Sequence, residues 1–433
     1  MQKQKNLQEN VKHETLKIVI ELDMKKLLTV LLVLLASAAW GGDYEDAGEA
    51  FNKKDYATAI QKYKSAGING NAVAQIMVGV MYYTGIGIKK DYLEAVKWYK
   101  LAAEQGNASA QYSLGVMYDN GKDVVPDYAE AMKWYKLAAA QGHAKAQFNL
   151  AVMYSNGHGV VQDYAEAVKW YKLAAEQGNA SAQFNLGNVH REGKGVVQDY
   201  AEALKWYKLA SAQGDVIAQF NLGNMYDNGI GVVQDYPEAV KWYKLASAQG
   251  NASAQSNLGV MYSNGQGVVQ DYAEAGKWYK LAAAQDDASA QANLGIMYDT
   301  GQGVVQDYAE TLKWYKLAAA QGIASVQYNL GNMYRNGQGV VQDYAEAGKW
   351  YKLAAAQGIA SAQYNLGNMY ATGQGVAKNY LRAHMWFNLS AVGGEAMAVQ
   401  NRDIIAAKMT PQQIAEAQKL SKECQTRNFK NCD

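Results

Sequence analysis

Residues 199–234 read DYAEALKWYKLASAQGDVIAQFNLGNMYDNGIGVVQ, and this stretch recurs every 36 residues along most of the 433-residue chain. The tryptophan of its KWYK core stands at 98, 134, 170, 206, 242, 278, 314 and 350, and Trp386 continues the series. Tyr63 falls in register with Tyr99, so a degenerate copy precedes the first tryptophan. Nine copies without insertion fill 55–378, and a tenth, altered copy begins at Asn379. A fixed period of this size marks stacked units rather than one globular core. It overrides the two or three domains that length alone suggests.

One copy, 127–162, shows what each unit encodes. Asp127 with Glu130 three residues later predicts a helix start with an acidic capping box. Tyr128, Ala131, Tyr135 and Ala138 recur at helical spacing and form one apolar face, which Met132 and Trp134 broaden. The tryptophan column is therefore expected to be largely buried between adjacent hairpins. Gly142 supplies a left-handed stop. A second helix is predicted from about Ala144 to Asn156, with Ala146, Leu150 and Met153 inward. Ala151 takes a place that is glycine in most copies (Gly115, Gly187, Gly223), where a small residue lets helices approach. Gly157 ends this helix, and Gly159, Val160 and Val161 lead to the next capping aspartate. Each hairpin is amphipathic on too many sides to bury itself, and stacked copies cover one another.

The patterns A-x-K-W-Y-x-L-A-A-x-Q-G and A-x-A-Q-x-x-L-G-x-M-Y-x-x-G-x-G-V, in strict register over roughly residues 44–408, resemble the Sel-one-like repeat (SLR). That family is a relative of the tetratricopeptide repeat. The resemblance implies an all-α chain, a right-handed α-solenoid (superhelix) of about ten 36-residue helical hairpins with a C-terminal capping helix. It also implies an adaptor of the kind used in signalling, envelope biology and host interaction.

In chain order, residues 1–23 are polar, charged and outside the repeat, and read as a gene-model extension ahead of a true start at Met24. Residues 24–38 read as a signal peptide: Met24, Lys25 and Lys26, the apolar run Leu27–Leu35, then Ala36, Ser37 and Ala38. The run is too short to span a bilayer, and no cysteine follows it for lipid attachment. The expected location is periplasmic or secreted, with no stable membrane span after signal cleavage. Residues 39–54 form a lead-in, 55–408 the solenoid, and 409–433 a capping helix and disulfide tail. At the start of the array Asp55 keeps the cap, while Thr58 and Lys62 replace the glutamate and the tryptophan, as suits a terminal unit facing solvent. At the far end Asn379 and Arg382 replace the capping pair. Thr410 and Pro411 open a last helix to about Lys422. Ile414, Ala417, Leu420 and Cys424 are expected to cover the final repeat, with Gln413, Glu416 and Lys419 in water. The only two cysteines, Cys424 and Cys432, predict a disulfide behind an export signal. Two free thiols or half a metal site are the alternatives.

The chemistry-bearing motifs are missing. A net charge of +1 gives no support to nucleic-acid binding. None of the five histidines (His13, His143, His158, His190, His384) makes H-E-x-x-H, and no G-x-S-x-G elbow occurs. Cysteine-rich SLR relatives are described as penicillin-binding or β-lactam-hydrolysing. This chain lacks their paired cysteines, and no serine is followed three residues later by lysine. The G-x-G runs, such as Gly193 to Gly195, recur in each copy as helix stops rather than phosphate cradles. No catalytic, cofactor or metal site is expected. Asn107-Ala108-Ser109, repeated at 179 and 251, matches a glycosylation acceptor but sits where a helix cap belongs. Two lysine columns, Lys133 and Lys136 in this unit, flank each tryptophan. An ion pair with Glu130 explains the first; weak polyanion binding is the sharper reading of both.

The expected function is a non-enzymatic protein–protein interaction scaffold of the bacterial envelope, or a secreted one, holding a protein or peptide in the solenoid groove. Partner choice is expected in columns that vary. One reads Tyr112, Phe148, Phe184, Phe220, Ser256, Ala292, Tyr328 and Tyr364; the other holds Asn188, Asn224, Asn332 and Asn368, with valine or isoleucine in other copies. A cell-wall or β-lactam-directed hydrolase and a host-interaction (adhesion or invasion) factor are the competing readings. The segment 251–295 is expected to be a flexible joint or notch. Ser256 and Ala292 lack the aromatic, Gly276 interrupts a helix close to Ser256, and Asp286 replaces the helix-ending glycine.

Overall fold

The computed structural model describes residues 42–121, 125–429 and 432. The upstream extension, the signal peptide and the first residues of the lead-in lie outside the described residues. Among the described residues there are 22 helices and no strand. The chain divides into two compact units, Met1–Gln198 and Asp199–Asp433. In the first unit a lead-in helix α1 (Asp43–Asn52) precedes four hairpins: α2–α3 (Tyr56–Ile68, Ala72–Thr84), α4–α5 (Tyr92–Glu104, Ala108–Asn120), α6–α7 (Tyr128–Ala140, Ala144–Asn156) and α8–α9 (Tyr164–Glu176, Ala180–Glu192). The second unit opens with α10–α11 (Tyr200–Ala212, Val216–Asn228), α12–α13 (Tyr236–Ala248, Ala252–Asn264) and α14–α15 (Tyr272–Ala283, Ala288–Thr300). It continues with α16–α17 (Tyr308–Ala320, Ala324–Asn336), α18–α19 (Tyr344–Ala355, Ala360–Thr372), α20–α21 (Tyr380–Val392, Ala396–Ala406) and the capping helix α22 (Pro411–Thr426).

Local signals set these bounds. Asp127 accepts from the amides of Ala129 and Glu130. The reciprocal half of the capping box is absent, because the Glu130 carboxylate turns to Lys133 Nζ at 2.9 Å instead. Asn107 accepts from Ser109 N and Ala110 N, so the N-A-S triplet caps a helix. Gly157 closes α7 at φ 74°. Gly159 is required twice over: its φ is +69°, and a Cβ there would stand 2.8 Å from the Tyr128 backbone. The close approach expected at Gly115 is present, since a Cβ would meet the Tyr135 ring at 2.5 Å.

The tryptophans differ from expectation. Trp134 (6% exposed), Trp206 and Trp386 (2%) are buried, whereas Trp98, Trp170, Trp242, Trp278, Trp314 and Trp350 are only half-buried. The aromatic sealed most fully is the tyrosine one position later, as at Tyr135 and Tyr243, with Phe387 in that place beside the buried Trp386. The indole lies at the margin of the joint. Trp170 packs on the Ala131–Met153 cluster of the hairpin before it and keeps its other side near water.

The 251–295 segment also differs. Gly276 does not oppose Ser256; a Cβ on it would face Met297 Cε at 3.1 Å and then Val304, both of its own repeat. The flexible Met297 fills the space a side chain would take. Ser256 is buried on another side and donates to Asp287 Oδ1 at 3.1 Å. Asp286 keeps the helix stop by adopting φ 62° itself, a conformation aspartate tolerates better than most residues.

At the far end Thr410 and Gln413 form a full capping box, and α22 runs four residues beyond Lys422. Ala417, Ser421 and Cys424 are buried, while Leu420 packs on the last repeats. Cys424 and Cys432 are paired, with Cα atoms 5.2 Å apart. This brings Phe429 against the Gly358 turn.

Candidate interaction surface

Within each unit, neighbouring hairpins are tied by a glutamine relay. The buried Gln147 amide donates to Ala139 O at 3.1 Å, and its Oε1 accepts from Gln177 Nε2 at 2.7 Å. Gln111 and Gln141 do the same at 2.8 Å. In the second unit the pairs are Gln219–Gln249, Gln255–Gln285, Gln291–Gln321 and Gln327–Gln357, each at 2.9 Å. The relay stops where Gly393 and Val399 replace the two glutamines. The A-Q and Q-G steps of the repeat therefore form one hydrogen-bonded link.

The two columns expected to read a partner are half committed to these joints. Tyr112, Phe148, Phe220, Tyr328 and Tyr364 lie half-buried, with ring centroids 5.8–6.1 Å from an aromatic ring of the next hairpin. Phe184 is half-buried, and Ser256 and Ala292 are buried. Asn224 Oδ1 accepts from Tyr243 OH at 2.7 Å and from Asn257 Nδ2 at 3.3 Å. Asn332 serves Tyr351 (2.7 Å) and Asn365 (3.4 Å) in the same way, and Asn368 accepts from Asn401 at 3.1 Å. Asn188 is half-buried. Where Val116 offers no oxygen, Tyr135 OH donates to Asp119 at 3.3 Å and accepts from Asn149 at 3.0 Å. Burial pushes the Asp119 carboxyl above its ordinary range. Burial also drives the Tyr135 hydroxyl well up, with Asp119 adding to it, so this hydroxyl stays protonated.

The side chains displayed most fully lie elsewhere. The outer leucines of the first helices from Leu101 to Leu353 are 42–51% exposed, whereas Leu389 of the last hairpin is buried, and the second valine of each connecting loop, from Val161 to Val341, is 86–91% exposed. The sequence carried a signal for the valines. Of two adjacent valines in an extended G-V-V-Q stretch, only one can face the core. The loop is pinned, since Gln162 Nε2 donates to Ser155 O at 2.7 Å and to Tyr164 OH at 2.9 Å. The first lysine column is ion-paired, with Lys169–Glu166 at 2.7 Å and Lys241–Glu238 at 3.0 Å. The second sits over tyrosine rings, as Lys136 over Tyr154 at 5.7 Å and Lys208 over Tyr226 at 5.6 Å. Among the described residues no group of three or more His, Cys, Asp or Glu side chains is placed to hold a metal ion. No described helix is long and apolar enough to cross a membrane.

Stacked hairpins joined in this way define an SLR array. Nine consecutive segments, from 72–107 to 360–394, match the Sel1 repeat, and the chain belongs to that family. It is similar to a solved protective antigen with an SLR fold present in uropathogenic Escherichia coli strains, at 36% identity and a TM-score of 0.80, over 89% of this chain and 85% of that one. It is also similar to a Sel1 repeat protein from Oxalobacter formigenes, at 34% identity and a TM-score of 0.58, over 70% of this chain and 88% of that one. No curated protein matches the chain. Sel1-repeat proteins generally mediate protein–protein interaction and are typically non-catalytic scaffolds.

Proposed function

We propose that this chain is a non-enzymatic interaction scaffold of the bacterial envelope, periplasmic or secreted, that takes a protein or peptide partner along its second helices. The supporting observation is how the frame treats its variable column. Tyr135 keeps a hydrogen-bonded hydroxyl beside Val116 by using Asp119, and Tyr243 keeps one by using Asn224 together with Asp227. The joint is satisfied with valine or with asparagine at this position, so the fold does not dictate the residue there and its identity can follow a partner. Export is supported by residues 24–38 and by the Cys424–Cys432 pair, which belongs in an oxidising compartment. Weak polyanion binding would fall on those lysines of the second column that lie over tyrosine rings, such as Lys136 and Lys208, since the first column is ion-paired.

Capture by the immobilised chain from envelope extract, run beside a host-cell lysate, tests the proposal. A protein retained by the native chain and lost with Phe184→Ala plus Asn188→Ala, at unchanged helix content, is the expected result. Equal retention by the variant would refute the assignment of the columns. The host arm matters because the relative from uropathogenic E. coli is a protective antigen. Retention from host lysate alone would favour a host-interaction factor. Turnover of a chromogenic β-lactam by the pure chain would instead establish a hydrolase.

A further inference from the structure

A second face of the array has its own chemistry, distinct from the columns above. In the first unit Ala129, Met132, Lys133, Lys136, Leu137 and Gly159 line one open depression along the outer side of α6. Its first lysine is neutralised by Glu130. Its second, Lys136, lies over the Tyr154 ring, and no carboxylate among the described residues comes within ion-pair distance of it. The neighbouring copies are different, because Lys100 and Lys172 have Glu104 and Glu176 one turn on, each at 3.9 Å. In the second unit the corresponding positions are alanine in four consecutive hairpins: Ala212, Ala248, Ala284 and Ala320. Lys208, Lys244, Lys280 and Lys316 accordingly hold their ammonium groups over Tyr226, Tyr262, Tyr298 and Tyr334 at 5.6–5.7 Å, exposed and without a carboxylate among the described residues. Each is followed by a leucine 42–51% exposed.

We propose that this face of the second unit binds an acidic protein segment that also carries large apolar side chains. Charge complementarity fixes the sign: one uncompensated ammonium per hairpin calls for one carboxylate per hairpin. A tyrosine ring beneath each ammonium limits the loss when water is removed. The exposed leucines, and the valines displayed on the pinned loops, call for apolar cover that a carboxylate chain alone cannot give. The same two facts disfavour a nucleic acid or sulfated polysaccharide. Such a ligand would leave the leucines wet, and one free cation per hairpin is sparse for counterion release. The proposal rests on the scaffold reading for the existence of a partner, and goes beyond it in naming the face and the chemistry.

Fluorescence anisotropy on the full chain tests it, with a labelled soluble peptide in which pairs of glutamates alternate with leucine or valine. The expected result is binding that weakens with ionic strength and is about tenfold tighter than for the glutamine-for-glutamate peptide or for polyglutamate. Lys244→Glu with Lys280→Glu should cost at least about tenfold. Leu245→Ser with Leu281→Ser should do the same, and helix content should be unchanged in both. Equal binding of the glutamine peptide, no loss with the lysine variant, or tighter binding of heparin than of the peptide would each overturn the proposal. Peptide failure with continued capture of a protein sensitive to Phe184→Ala would overturn this inference and leave the scaffold reading standing.

Discussion

The glutamine relay should be measurable as a coupling between neighbouring hairpins. Gln147→Ala removes hydrogen bonds of 3.1 and 2.7 Å from a buried side chain. At about 1 kcal/mol net for each bond, plus about 0.8 kcal/mol for a buried methylene, the loss is about 3 kcal/mol. It should not be much larger, because Ala139 O keeps the Gly142 amide at 2.9 Å and is not orphaned. Gln177 is exposed and shares only the 2.7 Å bond strongly, so Gln177→Ala should cost about 1 kcal/mol. The double variant should therefore fall about 1 kcal/mol short of the sum. Native-state hydrogen exchange on the α7 and α8 amides is the suitable assay, because a repeat array opens locally. Additivity within about 0.5 kcal/mol would refute the relay as a link between hairpins.

Three further outcomes follow from the same joints. His143 caps α7 by accepting the Ala146 amide on Nδ1 at 3.2 Å while stacked on Tyr112, and burial, with Lys145 adding to it, lowers its pKa to about 4. The folded value lies below the unfolded one of about 6.5, so its contribution is whole above that pH. It is lost as pH falls toward 4, about 3 kcal/mol in all. Melting or exchange at α7 should show this dependence, and His143→Asn should abolish it. Trp134→Ala should cost roughly 3–5 kcal/mol and Trp350→Ala, half-buried, roughly half of that, with exchange rising around the substituted joint first. A uniform loss of all helix would contradict this. Gly276→Ala should stabilise α14 by up to about 1 kcal/mol, since only the mobile end of Met297 must give way. Gly276→Val pushes further into Met297 and should destabilise by about 1 kcal/mol; slower exchange in α14 with valine would refute that account.

Periodicity, caps and stops depend on residues within one turn or one hairpin, and these were legible in the chain. The 36-residue period, Asp127 and Asn107 as caps, Gly157 as a stop and Thr410-Pro411 as the last start all lie where the pattern puts them. The pairing of Cys424 with Cys432, which the sequence favoured over free thiols, is present as well. Lateral packing was not legible, because a period says that units stack but not by what rotation. That rotation decides that Tyr135, rather than the larger Trp170, is sealed in a joint, and that Gly276 meets Met297 rather than Ser256. It also gives Asn224 to Tyr243 and leaves the outer leucines and loop valines to solvent. The chain by itself determined the unit and its repetition, through contacts local in sequence. Which side chains remain free for a partner was decided only when each hairpin met the next, because exposure depends on what the neighbour covers.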